Sequence, residues 1–95
     1  MRKAKRMTGL DKVRLIIQQF VSMNPIQYNH YENNKGTRWS VYYDIGGWID
    51  GEYCTMEIVR RTNSNRINFK YRGSEKFKSS MRSLLRKMGS KSKNT

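Results

Sequence analysis

One cysteine, one proline, one histidine and seven acids are all that a chain of 95 residues contains of these types. Each scarcity excludes something. A lone Cys54 cannot close an intramolecular disulfide, so the fold rests on a hydrophobic core, as suits a reducing compartment. His30 and Cys54 are single in the chain and far apart in it. No glycine-rich turn runs from a strand into a helix, since Gly46-Gly47 follows a strand pattern but precedes no helix. No catalytic set and no cofactor are therefore expected, and the chain reads as a non-enzyme. No apolar run approaches the ~20 residues that cross a bilayer. The basic start, Met1 to Arg6, resembles a signal-peptide n-region, but neither an apolar stretch nor a small-residue cleavage site follows it. The expectation is a cytoplasmic protein that is not secreted and has no membrane partner.

The shortage of acids has the largest consequence. Twenty lysines and arginines oppose seven acids, a formal net charge of +13. Charge of that size governs solubility and partners rather than fold, and a nucleic acid is the commonest opposite field. Disorder, the other home of basic hydrophilic chains, conflicts with the middle of this one. There Trp39, Tyr42, Tyr43, Trp48, Tyr53, Phe69 and Tyr71 supply apolar surface for a core. The length fits one domain. It is expected over residues 8–89, between basic tails at 1–7 and 90–95.

Periodicity supplies the elements. Over Thr8–Met23 the residues Leu10, Val13, Ile16, Ile17, Phe20 and Val21 recur at helical spacing, with Thr8 and Asp11 as a weak capping box and Asn24-Pro25 as the stop. Arg38–Ile45 alternates strictly, with Trp39, Val41, Tyr43 and Ile45 on one side. Glu52–Arg61 turns Cys54, Met56 and Ile58 inward, and Arg66–Arg72 does the same with Ile67, Phe69 and Tyr71. Asn63-Ser64-Asn65 between them suits a hairpin, because asparagine tolerates left-handed backbone. Ile26–Glu32 is a further candidate, an extra edge strand. Ser74–Met88 is a second helix, with Phe77, Met81, Leu84, Leu85 and Met88 in one stripe, Ser74 as its cap and Gly89 as its stop. The predicted architecture is a single two-layer α+β domain of order α-β-β-β-α, with both helices on one face of an antiparallel sheet. Trp39, Val41, Met56, Ile58, Phe69, Leu84 and Leu85 are expected in its core.

Candidate binding residues gather late in the chain. From Arg60 to Thr95 there are twelve cations and one acid, Glu75, so +11 of the charge lies there. Lys78, Arg82 and Arg86 are spaced by four, which places them ~6 Å apart along a helix axis, and Lys76 and Lys87 widen the stripe. A solvated helix usually mixes signs, so this imbalance favours phosphate contact over a plain solubilising face. On the sheet's outer face Arg38, Tyr42, Arg61, Arg66, Asn68, Lys70 and Arg72 would interleave cations with an aromatic, the composition of a surface that tracks phosphates and stacks bases. An ordinary solvated face fits that set equally well. The basic tails would add non-specific attraction. Gly46–Gly51 reads as a linker carrying an exposed Trp48, a contact point if the partner is a protein. Asp44, Asp50 and Glu52 flank it, but their spacing matches no calcium loop, so no metal is expected.

The order α-β-β-β-α is similar to that of double-stranded-RNA-binding domains, with Gly73-Ser74-Glu75-Lys76-Phe77-Lys78 standing where such domains present a lysine-rich helix start. The resemblance implies phosphate contacts for Lys76 and Lys78. Glu75 departs from the pattern, and Gly46-Gly47-Trp48 does not match the family's minor-groove loop. The resulting expectation is a small non-enzymatic nucleic-acid-binding protein acting by phosphate neutralisation, with duplex DNA slightly ahead of structured RNA. Two alternatives stand beside it. One is a virus-encoded adaptor or inhibitor, of viral or phage type, that docks on an acidic surface of a host nucleic-acid-processing protein. The other is a ribonucleoprotein subunit. The sequence carries no sign of oligomeric state.

Overall fold

Thr8 opens the first helix, α1 (Gly9–Ser22), through a complete capping box. Its hydroxyl accepts from the Asp11 N–H at 3.1 Å, and the Asp11 carboxylate accepts from the Thr8 N–H at 3.2 Å. The cap satisfies two amides that an α-helix cannot pair internally. Asn24, at φ 56°, leaves helical geometry just before Pro25. Four strands follow: β1 (Ile26–Asn33), β2 (Ser40–Ile49), β3 (Glu52–Arg61) and β4 (Ile67–Arg72), then α2 (Glu75–Lys87). The computed structural model describes residues 7–35 and 37–88. Apart from Met7, the expected tails lie outside the described residues, as does the helix stop at Gly89.

The strands form one antiparallel sheet in the order β1-β2-β3-β4. The chain is thus a small α+β domain of two helices on a four-stranded sheet, and the candidate edge strand is real. Pairing of Tyr43 with Ile58 and of Ile45 with Met56, then of Ile58 with Phe69 and Met56 with Tyr71, sets a continuous apolar inner face. Val13, Ile16 and Phe20 of α1 and Phe77, Met81 and Leu85 of α2 bury against it, with Cys54 in the same cluster. The Phe20 and Phe77 rings meet edge to face, their centroids 5.6 Å apart. Gln19 donates to the Ser80 hydroxyl at 2.8 Å, which ties the helices side by side. Tyr43 buries its ring, while Arg60 Nε donates to its hydroxyl at 3.1 Å, so the polar tip is satisfied.

Three expectations change. Trp39 is 56% exposed and lies before β2, with its carbonyl accepting from the Thr62 N–H. The alternation that predicted it as core runs past the point where the strand begins. Gly46–Ile49 is strand rather than linker, and the connection to β3 is the two-residue turn Asp50-Gly51, both at positive φ (52° and 81°). That combination is the type I′ geometry that Asp-Gly favours in hairpins. The β3–β4 connection is a five-residue loop in which Asn63 and Asn65 both keep negative φ. Its turn is held instead by the Ser64 hydroxyl accepting from the Arg66 N–H at 3.0 Å.

Candidate nucleic-acid interface

On α2 the buried residues Phe77, Met81 and Leu85 fix the rotation of the helix. At 100° per residue, Lys78 and Arg82 lie roughly 160° around the axis from Ser80, the residue that meets α1. Lys78, Arg82 and Arg86 therefore do form one flank, turned away from α1. Its members differ. Lys78 is half-buried and pairs with Glu75 at 3.3 Å. Lys76, on the other flank, pairs with Asp50 at 3.2 Å. Both lysines suggested by the double-stranded-RNA-binding resemblance are thus partnered by carboxylates. Among the described residues no acid lies within ion-pair distance of Arg82, Arg86 or Lys87, and all three are exposed. Between the helices a polar groove of about 390 Å³ runs past Gln19, Ser80 and Ser83 to Lys76 and Lys87.

The second set of candidates lies on the opposite side of the molecule. The helices cover the inner face, so Tyr42, Arg61, Asn68, Lys70 and Arg72, which alternate with the core residues, occupy the outer one. Arg38 and Arg66 precede β2 and β4 and flank that face from loops. The Arg38 guanidinium sits over the Trp39 ring, 5.4 Å from its centroid. Tyr42 is covered in turn by Lys35, with Nζ 5.1 Å from the ring centroid. Lys70 approaches Glu57 at 4.0 Å, and among the described residues Arg72 has no ion pair. The α2 flank and the outer face thus do not merge into one surface.

The outer face also holds Trp48, expected as a protein contact point on a linker, and residues that were not singled out, Tyr31 and Tyr53. Register aligns four rows across the strands. Ile26, Trp48 and Tyr53 make the first, and Asn29, Gly46, Thr55 and Arg72 the second. Tyr31, Asp44, Glu57 and Lys70 make the third, and Asn33, Tyr42, Val59 and Asn68 the fourth. The face curves into a trough of about 810 Å³ over the second and third rows, walled by Tyr53 and Tyr31. Gly46 makes room in it, since a Cβ there would stand 2.6 Å from the Tyr53 hydroxyl. Trp48 and Tyr53 pack as a cross-strand pair with centroids 5.4 Å apart and planes tilted by 58°. The sequence sign that leads to them is Asp50-Gly51. Read as a hairpin turn, it continues β2 through Trp48 and sets that ring opposite Tyr53.

Neither a family model, nor a curated protein, nor a solved structure matches the chain. Among the described residues no three His, Cys, Asp or Glu side chains are grouped as a metal site would need, and no helix is long and apolar enough to cross a membrane. No polar or charged side chain among them is fully buried.

Proposed function

We propose that this chain is a non-enzymatic nucleic-acid-binding protein that neutralises backbone phosphates with Arg82 and Arg86 of α2 and Arg72 of β4. One observation carries the reading. All three ion pairs among the described residues are made by lysines, while these arginines stand exposed without an acid. A guanidinium presents a rigid fork of donors that suits phosphate oxygens, and it is more weakly hydrated than an ammonium, so less is lost when water leaves it. A +13 chain also gains from counterion release when it meets a polyanion. Lys78 contributes less than its place in the stripe suggests, because Glu75 already holds it. Phosphate contact is largely indifferent to the sugar, so duplex DNA and structured RNA both belong in the test.

That test is a salt titration of affinity by fluorescence anisotropy, with labelled DNA and RNA duplexes. On duplex DNA, log K against log[salt] falls with a slope of about −0.9 per phosphate neutralised. Arg82→Gln together with Arg86→Gln is expected to flatten it by about two units at unchanged thermal stability, because both side chains point to solvent. A double variant with the wild-type slope and affinity removes α2 from the interface. A wild-type protein that binds no nucleic acid near physiological salt overturns the reading and leaves docking on an acidic protein surface as its successor.

A further inference from the structure

The outer-face trough has a chemistry that the α2 arginines do not share. Tyr31 is 65% exposed, Tyr53 46% and Trp48 42%, all on the side of the sheet that neither α1 nor α2 covers. Large aromatics grouped on an open face mark a contact surface more often than an accident of folding. The trough is also polarised across the strands. Arg72 and Lys70 stand at the β4 margin. Asp44 and Glu57 face each other directly at the centre, a like-charge pair that a sheet ordinarily avoids. Among the described residues only Glu57 of the two has an ion pair, with Lys70 at 4.0 Å. Tyr31 and Asn29 lie on the β1 side.

Resting on the nucleic-acid reading above, we propose that this trough binds an unpaired, single-stranded nucleic-acid segment. Its bases stack on Tyr53 and Tyr31 of the trough and on Trp48 in the row beside it, and its phosphates are held at the β4 margin by Arg72 and Lys70. The central carboxylates fix that orientation. They repel phosphates and accept hydrogen bonds from base amino groups, so the backbone is driven to the β4 side and the bases point across the sheet towards β1. A duplex can meet the cations of the β4 margin but not the aromatic rings, because its base faces are stacked inside and only groove edges and phosphates are outside. A single strand offers free faces, and aromatic rings on an open sheet stack them with little regard to sequence. Two strand spacings across and two rows along place the Tyr31 and Tyr53 backbones roughly 16 Å apart, and sheet faces of this kind take about two or three bases. The 58° tilt between Trp48 and Tyr53 leaves no slot between them, so each presents its own face.

The indole of Trp48 lies beside the trough, its centroid 5.4 Å from that of the Tyr53 ring that walls it, and reports on the site once the other tryptophan is removed. Trp39 is exposed in a loop, so Trp39→Phe gives a folded background with a single indole. That protein is titrated with mixed-sequence octamers of single-stranded DNA and RNA and with a blunt DNA duplex. Single strands are expected to quench Trp48 emission and the duplex to leave it unchanged. With anisotropy as the readout, Trp48→Ala or Tyr53→Ala should weaken single-strand binding about 5- to 150-fold, the range that loss of one stacked base implies. Trp48→Phe and Tyr53→Phe keep a ring and should retain most of it, which separates stacking from a folding defect. Duplex binding should survive all four changes. If duplex binds through Arg82 and Arg86 while single strands leave Trp48 silent, the trough proposal fails and the functional reading stands. If no nucleic acid binds, both fail. If Trp48 emission instead changes with protein concentration alone, a second copy covers the trough and the proposal is overturned.

Discussion

Gly73 joins β4 to α2 and sets where the second helix lies. Its φ is +154°, and a Cβ added there would stand 2.6 Å from Cys54 Sγ, 2.9 Å from Phe77 Cδ2 and 3.0 Å from Cys54 Cβ. Both neighbours are fully buried, so neither has free space to retreat into. Gly73→Ala therefore combines two costs: overpacking, at about 1–3 kcal/mol, and a backbone conformation that residues with a Cβ rarely adopt, at about 1–2 kcal/mol. A total of roughly 2–5 kcal/mol is a large fraction of the stability of a domain this size. It corresponds to a fall in Tm of roughly 8–40 °C. A double-mutant cycle identifies the obstacle. Cys54→Ala alone removes a buried sulfur, at about 1–2 kcal/mol. In the double variant the 2.6 Å encounter disappears while the contact with Phe77 remains, so the combined loss should fall short of the sum by about 1 kcal/mol. Urea denaturation of the four proteins measures this directly. Losses that add to within about 0.5 kcal/mol would show that the sulfur is not what Gly73 makes room for. A Gly73→Ala protein as stable as the wild type would refute the close approach itself.

Other expectations follow from burial and the register. Phe77→Ala should cost about 3–5 kcal/mol, since its ring contacts Phe20 and Tyr71 in the centre of the core. Trp39→Ala should stay within about 0.5 kcal/mol of wild type in the same denaturation assay, and a core-sized loss there would restore Trp39 to the interior. A bulky thiol reagent should label native Cys54 far more slowly than the denatured chain. Equal rates would mean that β3 is slipped by one residue, which would turn Cys54 outward. Burial against the Phe20 ring raises the Tyr28 pKa above its ordinary value of 10.0. The neutral phenol is then the form that the fold favours. Its contribution is intact below pH 10 and is lost as pH rises through the raised value. Tyr28→Phe should accordingly lose less stability between pH 9 and 11 than the wild type, measured by thermal unfolding at each pH.

What the sequence made legible, and what it did not, follows the range of the interactions. Both helices were readable because their caps and stripes are local: Thr8 meets Asp11 three residues on, and Phe77, Met81 and Leu85 repeat every turn. The inner face of β3 was readable because Cys54, Met56 and Ile58 alternate without interruption. Alternation does not announce where a strand starts, however. Trp39 has the right parity for the core, yet the chain before Ser40 is a loop, where the Thr37 hydroxyl accepts from the Trp39 N–H at 2.9 Å. Glycine misled in the other direction. Gly46-Gly47 suggested a linker, but Gly46 leaves space for Tyr53, and a Cβ on Gly47 would stand 2.8 Å from Pro25 Cβ. Two adjacent glycines in a strand here mean close approach on both faces rather than looseness.

The candidate site was half legible for the same reason. Spacing by four placed Lys78, Arg82 and Arg86 on one flank of α2, and the i, i+3 relation of Glu75 to Lys78 was already in the sequence. The partner of Lys76 was not, because Asp50 reaches it from a turn 26 residues earlier. The unpaired cations that distinguish a binding surface from a solvated one can only be told apart once such distant acids are placed. The outer face carries the argument one step further. Parity assigns Tyr53, Glu57, Lys70 and Arg72 to one side of the sheet, but parity has no sense of left and right across strands. Pairing supplies it, setting Asp44 against Glu57 and Trp48 against Tyr53, with Lys70 and Arg72 beyond them at the β4 margin. That ordering across the sheet turns a mixed list of aromatics, acids and cations into a trough with a cationic margin at β4 and aromatic walls. It also explains why adding charge at its centre should act differently from adding it at its rim. In the proposed binding mode a cation substituted for Asp44 would draw phosphates between the aromatic walls and disturb base stacking, whereas one added beside Arg72 would only deepen the attraction at that margin.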